Sequence, residues 1–228
     1  MEYGEDLTAN LNVLSISPQS DSDRAYEQIL AMIVDLSVAP GAFLNEQTLA
    51  AQLDFGRTPV REALARLSQD RFVTILPRRG IVIAPLTFDD VLDMFEARET
   101  IECGIAFIAA THVTDADVAE LRQLIATADG NRRDGDAEAF LMADHAVHTF
   151  LVHMIRNPIL QEAADRLLLH NLRFWRLYWG DRPARKETML SHSSLLSALE
   201  SRDSHTAEKA MRDHLQASCE LVKLLFDR

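Results

Sequence analysis

The chain has 228 residues, 47% hydrophobic and 25% charged, enough for two compact domains or one large one with real cores. No apolar run reaches the roughly 18 residues that span a bilayer, and the acidic N-terminus lacks the basic and apolar regions of a secretory signal, so membrane-spanning and secreted classes are excluded. The formal net charge of −12 taken alone argues against a nucleic-acid partner, and the two cysteines, Cys103 and Cys219, form no CxxC pair and read as reduced, packed thiols of a cytoplasmic protein.

Residues 1–20 are polar and read as an arm, in which the alternation Leu11-Asn12-Val13-Leu14-Ser15-Ile16 predicts one short strand. A helix follows from about Ser22 to Leu36, with Tyr26, Ile29, Leu30, Ile33 and Leu36 on one face. Pro40-Gly41 breaks it. Asn45 caps a short helix through Leu53, and Asp54-Phe55-Gly56 makes a tight turn. Thr58 is the expected N-cap of a third helix, with Pro59 at its first position and Val60, Ala63, Leu64 and Leu67 inward, ending near Asp70. Two β-rich runs, Phe72–Leu76 and Ile81–Ala84, flank a hairpin turn at Pro77-Arg78-Arg79-Gly80. Pro85-Leu86 reads as a hinge. Thr87-Phe88-Asp89-Asp90 and Thr114-Asp115-Ala116-Asp117 have the form of capping boxes. Beyond them the periodicity predicts helices over 88–111, 115–129, 136–155, 158–178, 185–200 and 204–226, with no internal repeat and no low-complexity tract.

The fold class expected is mainly α: an N-terminal winged helix-turn-helix of three helices plus a β-hairpin wing (21–86), then an all-α antiparallel bundle (87–228). The charge is unevenly placed in a way that suits this division. Between Arg57 and Arg79 lie six arginines against Glu62 and Asp70, a local balance of +4. Residues 20–86 hold seven basic and eight acidic groups, which leaves −11 of the total elsewhere. In a winged helix-turn-helix the third helix enters the major groove N-terminus first. That places Arg57, Thr58 and Arg61 toward the bases, with Arg57 and Arg61 one turn apart. Arginine suits bidentate reading of guanine, threonine suits a phosphate, and Arg79-Gly80 at the wing tip allows close approach to the DNA backbone or minor groove.

The segment Pro40-Gly41, Leu49-Ala50, Arg57-Thr58-Pro59-Val60-Arg61-Glu62-Ala63-Leu64, Leu67 and Arg79-Gly80 resembles the GntR family of regulators over roughly residues 24–85. The resemblance implies operator contacts at Arg57, Thr58, Arg61, Arg79 and Gly80. Two positions depart from the family pattern: Gly56, where Ser is usual, and Asp35, where Gly often ends the first helix. Losing the Ser hydroxyl at Gly56 removes one phosphate or capping contact.

In the C-terminal half, Asp144 and His148 share a helix face, and His192 and His214 lie on later predicted helices. One carboxylate and three imidazoles inside a bundle suit a divalent metal such as Zn, Ni, Mn or Fe, and equally suit ordinary core and surface residues. The blocks Asp144-x3-His148-x8-Asn157-Pro158-x-Leu160, His192-x6-Leu199 and Asp203-x10-His214-Leu215 resemble the FCD ligand-binding domain of FadR-type GntR regulators over about residues 90–224. That resemblance implies metal ligation by Asp144, His148, His192 and His214, and a small organic acid as effector. Arg98 stands on the inward stripe of its helix with Val91, Phe95, Ile101, Ile105 and Ile108. A buried guanidinium needs an anion, either the effector carboxylate or Glu102 one turn on. The aromatics Phe174, Trp175, Tyr178 and Trp179 read as core or dimer packing.

The expected protein is a homodimeric, cytoplasmic regulator that binds a palindromic double-stranded operator and answers to a carboxylic acid, by default a repressor relieved by it. The rival readings are a metal-dependent hydrolase or oxygenase built on the Asp/His cluster, for which no HExxH motif or general base is identifiable, and a regulator whose metal is purely structural.

Overall fold

The computed structural model describes residues 20–179 and 190–226. The strand expected at 11–16 and the start of the helix expected at 185–200 lie outside the described residues. The chain divides into two compact units between Leu86 and Thr87.

In the first unit, α1 (Asp21–Val34), α2 (Glu46–Leu53) and α3 (Arg57–Gln69) precede the hairpin of β2 (Val73–Leu76) and β3 (Gly80–Ile83). Ser20 caps α1 in a reciprocal capping box with Asp23. The first helix stops earlier than expected because Asp35 caps it and Leu36 turns to φ 64°. Asn45 caps α2 by accepting from the Gln47 and Thr48 amides, as its side-chain type predicts. Asp54 turns left-handed (φ 57°) and ends α2, so only three residues separate α2 from α3. One strand was not legible in the sequence: β1 (Phe43–Leu44) pairs antiparallel with β3, giving the order β1-β3-β2. Two residues are too short a run for an alternation to register.

The interior of this unit is one apolar set. Ile29 and Ile33 of α1, Val60, Leu64 and Leu67 of α3, Phe72, and Ile83 of β3 are each at most 1% exposed. Around its rim, the Tyr26 hydroxyl donates to Asp70 (2.7 Å), and Arg66 pairs with Asp23 (2.7 Å) while lying over the Tyr26 ring. These contacts tie α1 to the C-terminal end of α3, and so fix the angle at which the N-terminal end of α3 is presented.

The second unit contains six described helices: α4 (Phe88–His112), α5 (Asp115–Asp134), α6 (Ala137–Met154), α7 (Pro158–Trp179), α8 (Ser193–Glu200) and α9 (Ser204–Phe226). Both predicted capping boxes form, Thr87 with Asp90 and Thr114 with Asp117. α5 runs a turn beyond expectation, through Gly130, and ends at Gly135 in the left-handed conformation (φ 78°) after Arg132 and Arg133 in its last turn. α4 is the central element and packs on α9, α7, α6 and α8. That is why its buried residues spread beyond the predicted stripe to Met94, Cys103, Ala106, Ala109 and Ala110, with Ile101 and Ile108 only partly covered. Small residues on α4 let its neighbours close in. Cys103 and Cys219 are free thiols; burial pushes Cys103 up to about 11. No described helix is long and apolar enough to cross a membrane.

Because Leu64 is 1% exposed at the centre of the first unit, Leu64→Ala should lower stability by about 2–5 kcal/mol. Urea unfolding checks this; a change below ~1 kcal/mol contradicts the packing described.

Candidate functional site

In the first unit, the sequence-predicted contact residues form one exposed set. Arg57, Thr58 and Arg61 on the first turns of α3, and Arg79 and Gly80 at the wing, are all exposed. Gly56 is the N-cap of α3, in extended conformation with no side-chain cap. Thr58 therefore sits at the second helical position and Pro59 at the third, each two residues further in than expected. The Thr58 hydroxyl is thereby released from capping and faces solvent. Arg61 is 69% exposed at its side chain and pairs with Glu46 at 3.1 Å. An exposed pair of this kind is worth about 0–1 kcal/mol, so it orients the guanidinium without locking it. At the wing, Arg79 N–H donates to the Leu76 carbonyl (3.0 Å) to close the turn. Arg78 (φ 63°) and Gly80 (φ 108°) take up the reversal, and the latter value requires glycine.

In the second unit, Asp144, His148, His192 and His214 come together. One ligand atom from each lies within 4.8 Å of the others, slightly wider than the roughly 4.4 Å that two opposed ligands span at bonds of about 2.2 Å. Asp144 and His148 project from α6, His214 from α9. His192 is not on a helix, as the sequence had suggested, but is the residue preceding α8, in its N-cap position. The ring nitrogens converge: His192 Nε2 lies 3.1 Å from His148 Nε2 and 3.4 Å from Asp144 Oδ1. The other nitrogen of His148, Nδ1, meets Glu102 Oε2 at 2.5 Å. A carboxylate there accepts the Nδ1 proton and leaves the Nε2 lone pair free for a cation, the arrangement that outer carboxylates impose on metal-binding imidazoles.

The electrostatics suit neutral imidazole ligands. Burial pushes His214 down to about 3 and His192 well below its ordinary value, with the neighbouring rings and Arg98 adding to the depression. Burial also pushes Asp144 up, partly offset by His148 and Arg98. Two rings held uncharged, His192 and His214, and a carboxyl that gains from a nearby positive charge fit a divalent cation. The other nitrogen of His192, Nδ1, is buried without a hydrogen-bond partner.

Arg98 meets one of its two expected partners, Glu102. Its Nε donates to Glu102 Oε1 at 2.6 Å, with both side chains 2% exposed. Its Nη2 is buried and has no partner. Burial opposes the Glu102 charge, but Arg98 and His148 outweigh it and hold the carboxyl down at about 2. Arg98, Asp144, His148 and His214 line a narrow cleft, walled by Phe140, Trp175 and Trp179. The two tryptophans, read from sequence as core or dimer packing, are therefore partly cleft wall, stacked with ring centroids 4.7 Å apart. Phe174 keeps the core role, at 0% exposed. Asn171, which sequence reasoning passed over, lines the same cleft. The signal was present: it stands on the buried stripe of α7 with Ala164, Leu168, Leu172 and Trp175, a polar residue at an apolar position, as Arg98 is.

Comparison with known proteins came to the same two halves. Residues 93–217 match the FCD domain, and residues 21–83 match the bacterial regulatory proteins of the gntR family. An HTH-type transcriptional regulator in an unstable DNA locus of Streptomyces ambofaciens is 30% identical over 84% of this chain and 80% of its own length. The HTH-type transcriptional repressor RspR of Escherichia coli is 26% identical over 90% of each chain. Among solved structures, E. coli McbR/YncC superposes with a TM-score of 0.76 at 23% identity, covering 92% of this chain and 100% of that one, a likeness of fold.

Glu102 (ordinary value 4.5, here about 2) and His214 (ordinary value 6.5, here about 3) both bind protons more readily unfolded than folded. Their stabilising contribution is complete above about pH 6.5 and is lost as pH falls toward the folded values. The melting temperature of chelator-treated protein should therefore drop progressively from pH 7 to pH 4. A flat profile over that window contradicts the cluster as described.

Proposed function

The chain belongs to the GntR family of bacterial regulators, with an FCD domain, and on that premise we propose a ligand-responsive repressor whose effector is a small carboxylic acid bound at a metal centre. It is a transcriptional regulator with a DNA-binding helix-turn-helix and an FCD effector domain, not an enzyme, so the hydrolase or oxygenase alternative falls away. The single observation that carries the finer reading is Arg98 Nη2. It is a buried guanidinium nitrogen without a partner, beside four convergent ligand atoms, in one cleft. An unsatisfied buried charged donor is costly, and a carboxylate satisfies it with charge-assisted hydrogen bonds.

Asp144, His148, His192 and His214 would hold the ion. When bound, a divalent cation supplies a second positive charge and open coordination positions for the acid. Nitrogen and oxygen donors without thiolate suit Zn, Ni, Mn or Fe. Glu102 orients both Arg98 and His148, so a carboxylate that draws on Arg98 also acts on the ligand cluster.

The working division is 21–86 for DNA binding and 87–228 for the effector. Arg57, Thr58 and Arg61 read the major groove of a palindromic operator, and Arg79-Gly80 meets the backbone or minor groove. A two-fold homodimer in the cytoplasm matches such an operator. Repression is favoured by the relative named a repressor. Release requires unequal effector affinity for the DNA-competent and DNA-incompetent states.

Arg61→Ala should weaken specific operator binding by about fivefold to 150-fold, the weight of one bidentate base contact of about 1–3 kcal/mol, and leave effector binding intact. Mobility-shift titration at moderate salt tests it; unchanged affinity removes α3 from the recognition role. His148→Ala and His214→Ala should each reduce bound metal per chain in elemental analysis, and full occupancy in both would count against the centre. If stripping the metal lowers the melting temperature but not effector affinity, the ion is structural.

A further inference from the structure

Two polar side chains in the cleft are at once deeply buried and short of partners, and they make opposite demands. Arg98, 2% exposed, has an unpartnered Nη2 and asks for an acceptor. Asn171, 4% exposed, has an unpartnered Oδ1 and asks for a donor. They project from different helices, α4 and α7, and line the same narrow cleft. Ser218 of α9, 9% exposed, also lines it. The remaining wall beside Asn171 is apolar: Phe140, Leu141, Trp175 and Trp179.

We propose that Asn171 is a specificity-determining residue that selects hydroxy acids: the effector carries a hydroxyl group that hydrogen-bonds Asn171 while its carboxylate engages Arg98. This rests on the carboxylate reading of the cleft and deepens it. A plain carboxylate offers acceptors only, so it would satisfy Arg98 and leave the Asn171 carbonyl buried and unmatched. An ammonium group would answer the carbonyl but would meet the Arg98 guanidinium and the cation-binding cluster in the same small volume. A hydroxyl both donates and accepts, so it satisfies the amide in either of its two orientations. Sites built to hydrogen-bond a substrate hydroxyl discriminate strongly against the analogue that lacks it, because the buried partner is left unpaired.

The test is calorimetric titration of the whole chain with matched pairs: lactate against propionate, and malate against succinate. In at least one pair the hydroxy acid should bind roughly tenfold tighter or better. Asn171→Leu, close in shape and free of polar atoms, should bring that ratio to within about twofold, chiefly by weakening the hydroxy acid. The same variant should melt at a higher temperature than the wild type in the absence of any acid, because a buried unpartnered carbonyl oxygen has been removed. A lower melting temperature would show that the amide has a structural partner and would overturn the proposal. The wild-type ratios need no variant to be read. Equal binding within both pairs, with both acids lost in Arg98→Met, overturns selection by Asn171 and leaves the carboxylate site standing. A wild type that binds none of the four acids overturns both.

Discussion

The second unit is organised around one buried carboxylate. Glu102 accepts from Arg98 on one oxygen and meets His148 on the other, with all three side chains at most 2% exposed. Taking such groups out of water is expensive, and their mutual attraction offsets the cost only when the geometry is good and every partner stays in place. Glu102 keeps its charge because a guanidinium and an imidazole flank it. Arg98 can lie inside the bundle because Glu102 takes its Nε. His148 has a defined tautomer because Glu102 takes its Nδ1 proton. Remove the carboxylate and the guanidinium is stranded and the ring free to turn. The cleft, the ligand cluster and the packing of α4 on its neighbours thus share one electrostatic anchor, and a perturbation at any one of the three is felt by the other two.

The first unit solves a different problem: presenting charge on a rigid frame. Its apolar core locks α3 through Val60, Leu64 and Leu67, while Arg57 and Arg61 in its first turns stay exposed. The wing is braced by β1, which pairs with β3 and so turns a lone hairpin into a three-stranded sheet. Two-stranded hairpins are marginal on their own, and a third strand plus a hydrophobic face is what makes such a ribbon hold its place. Phe43 of β1 is nonetheless 69% exposed, so the strand contributes backbone pairing more than side-chain burial.

Most of this was legible in the residues. Periodicity gave the helices, because amphipathic elements bury one face and the sequence has to record which. The capping residues gave several helix starts, since Asn45, Thr87 and Thr114 each satisfy amides at the start of a helix. The Asp144-His148 pair was visible through its spacing. What escaped was set by tertiary contact. β1 carries no pattern of its own. The position of His192 ahead of α8 depends on where that helix starts. The cap at Gly56 lacks a side chain to announce it. Trp175 and Trp179 look like core at the level of a helical wheel, and only the arrangement of α4, α7 and α9 around them turns part of that surface toward a cleft. Asn171 needed the same question that Arg98 received: what does a polar group do on an apolar stripe?

Cys103 follows Glu102 directly on α4, 2% exposed and with its thiol pushed up to about 11. Since the thiolate is the reactive species, alkylating reagents and oxidants find almost nothing to attack there while the bundle is closed. Its modification is then governed by how often α4 parts from the helices around it rather than by the chemistry of the sulfur. The chain thereby carries its own gauge of breathing motions next to the buried carboxylate, one whose alkylation can be timed by mass spectrometry.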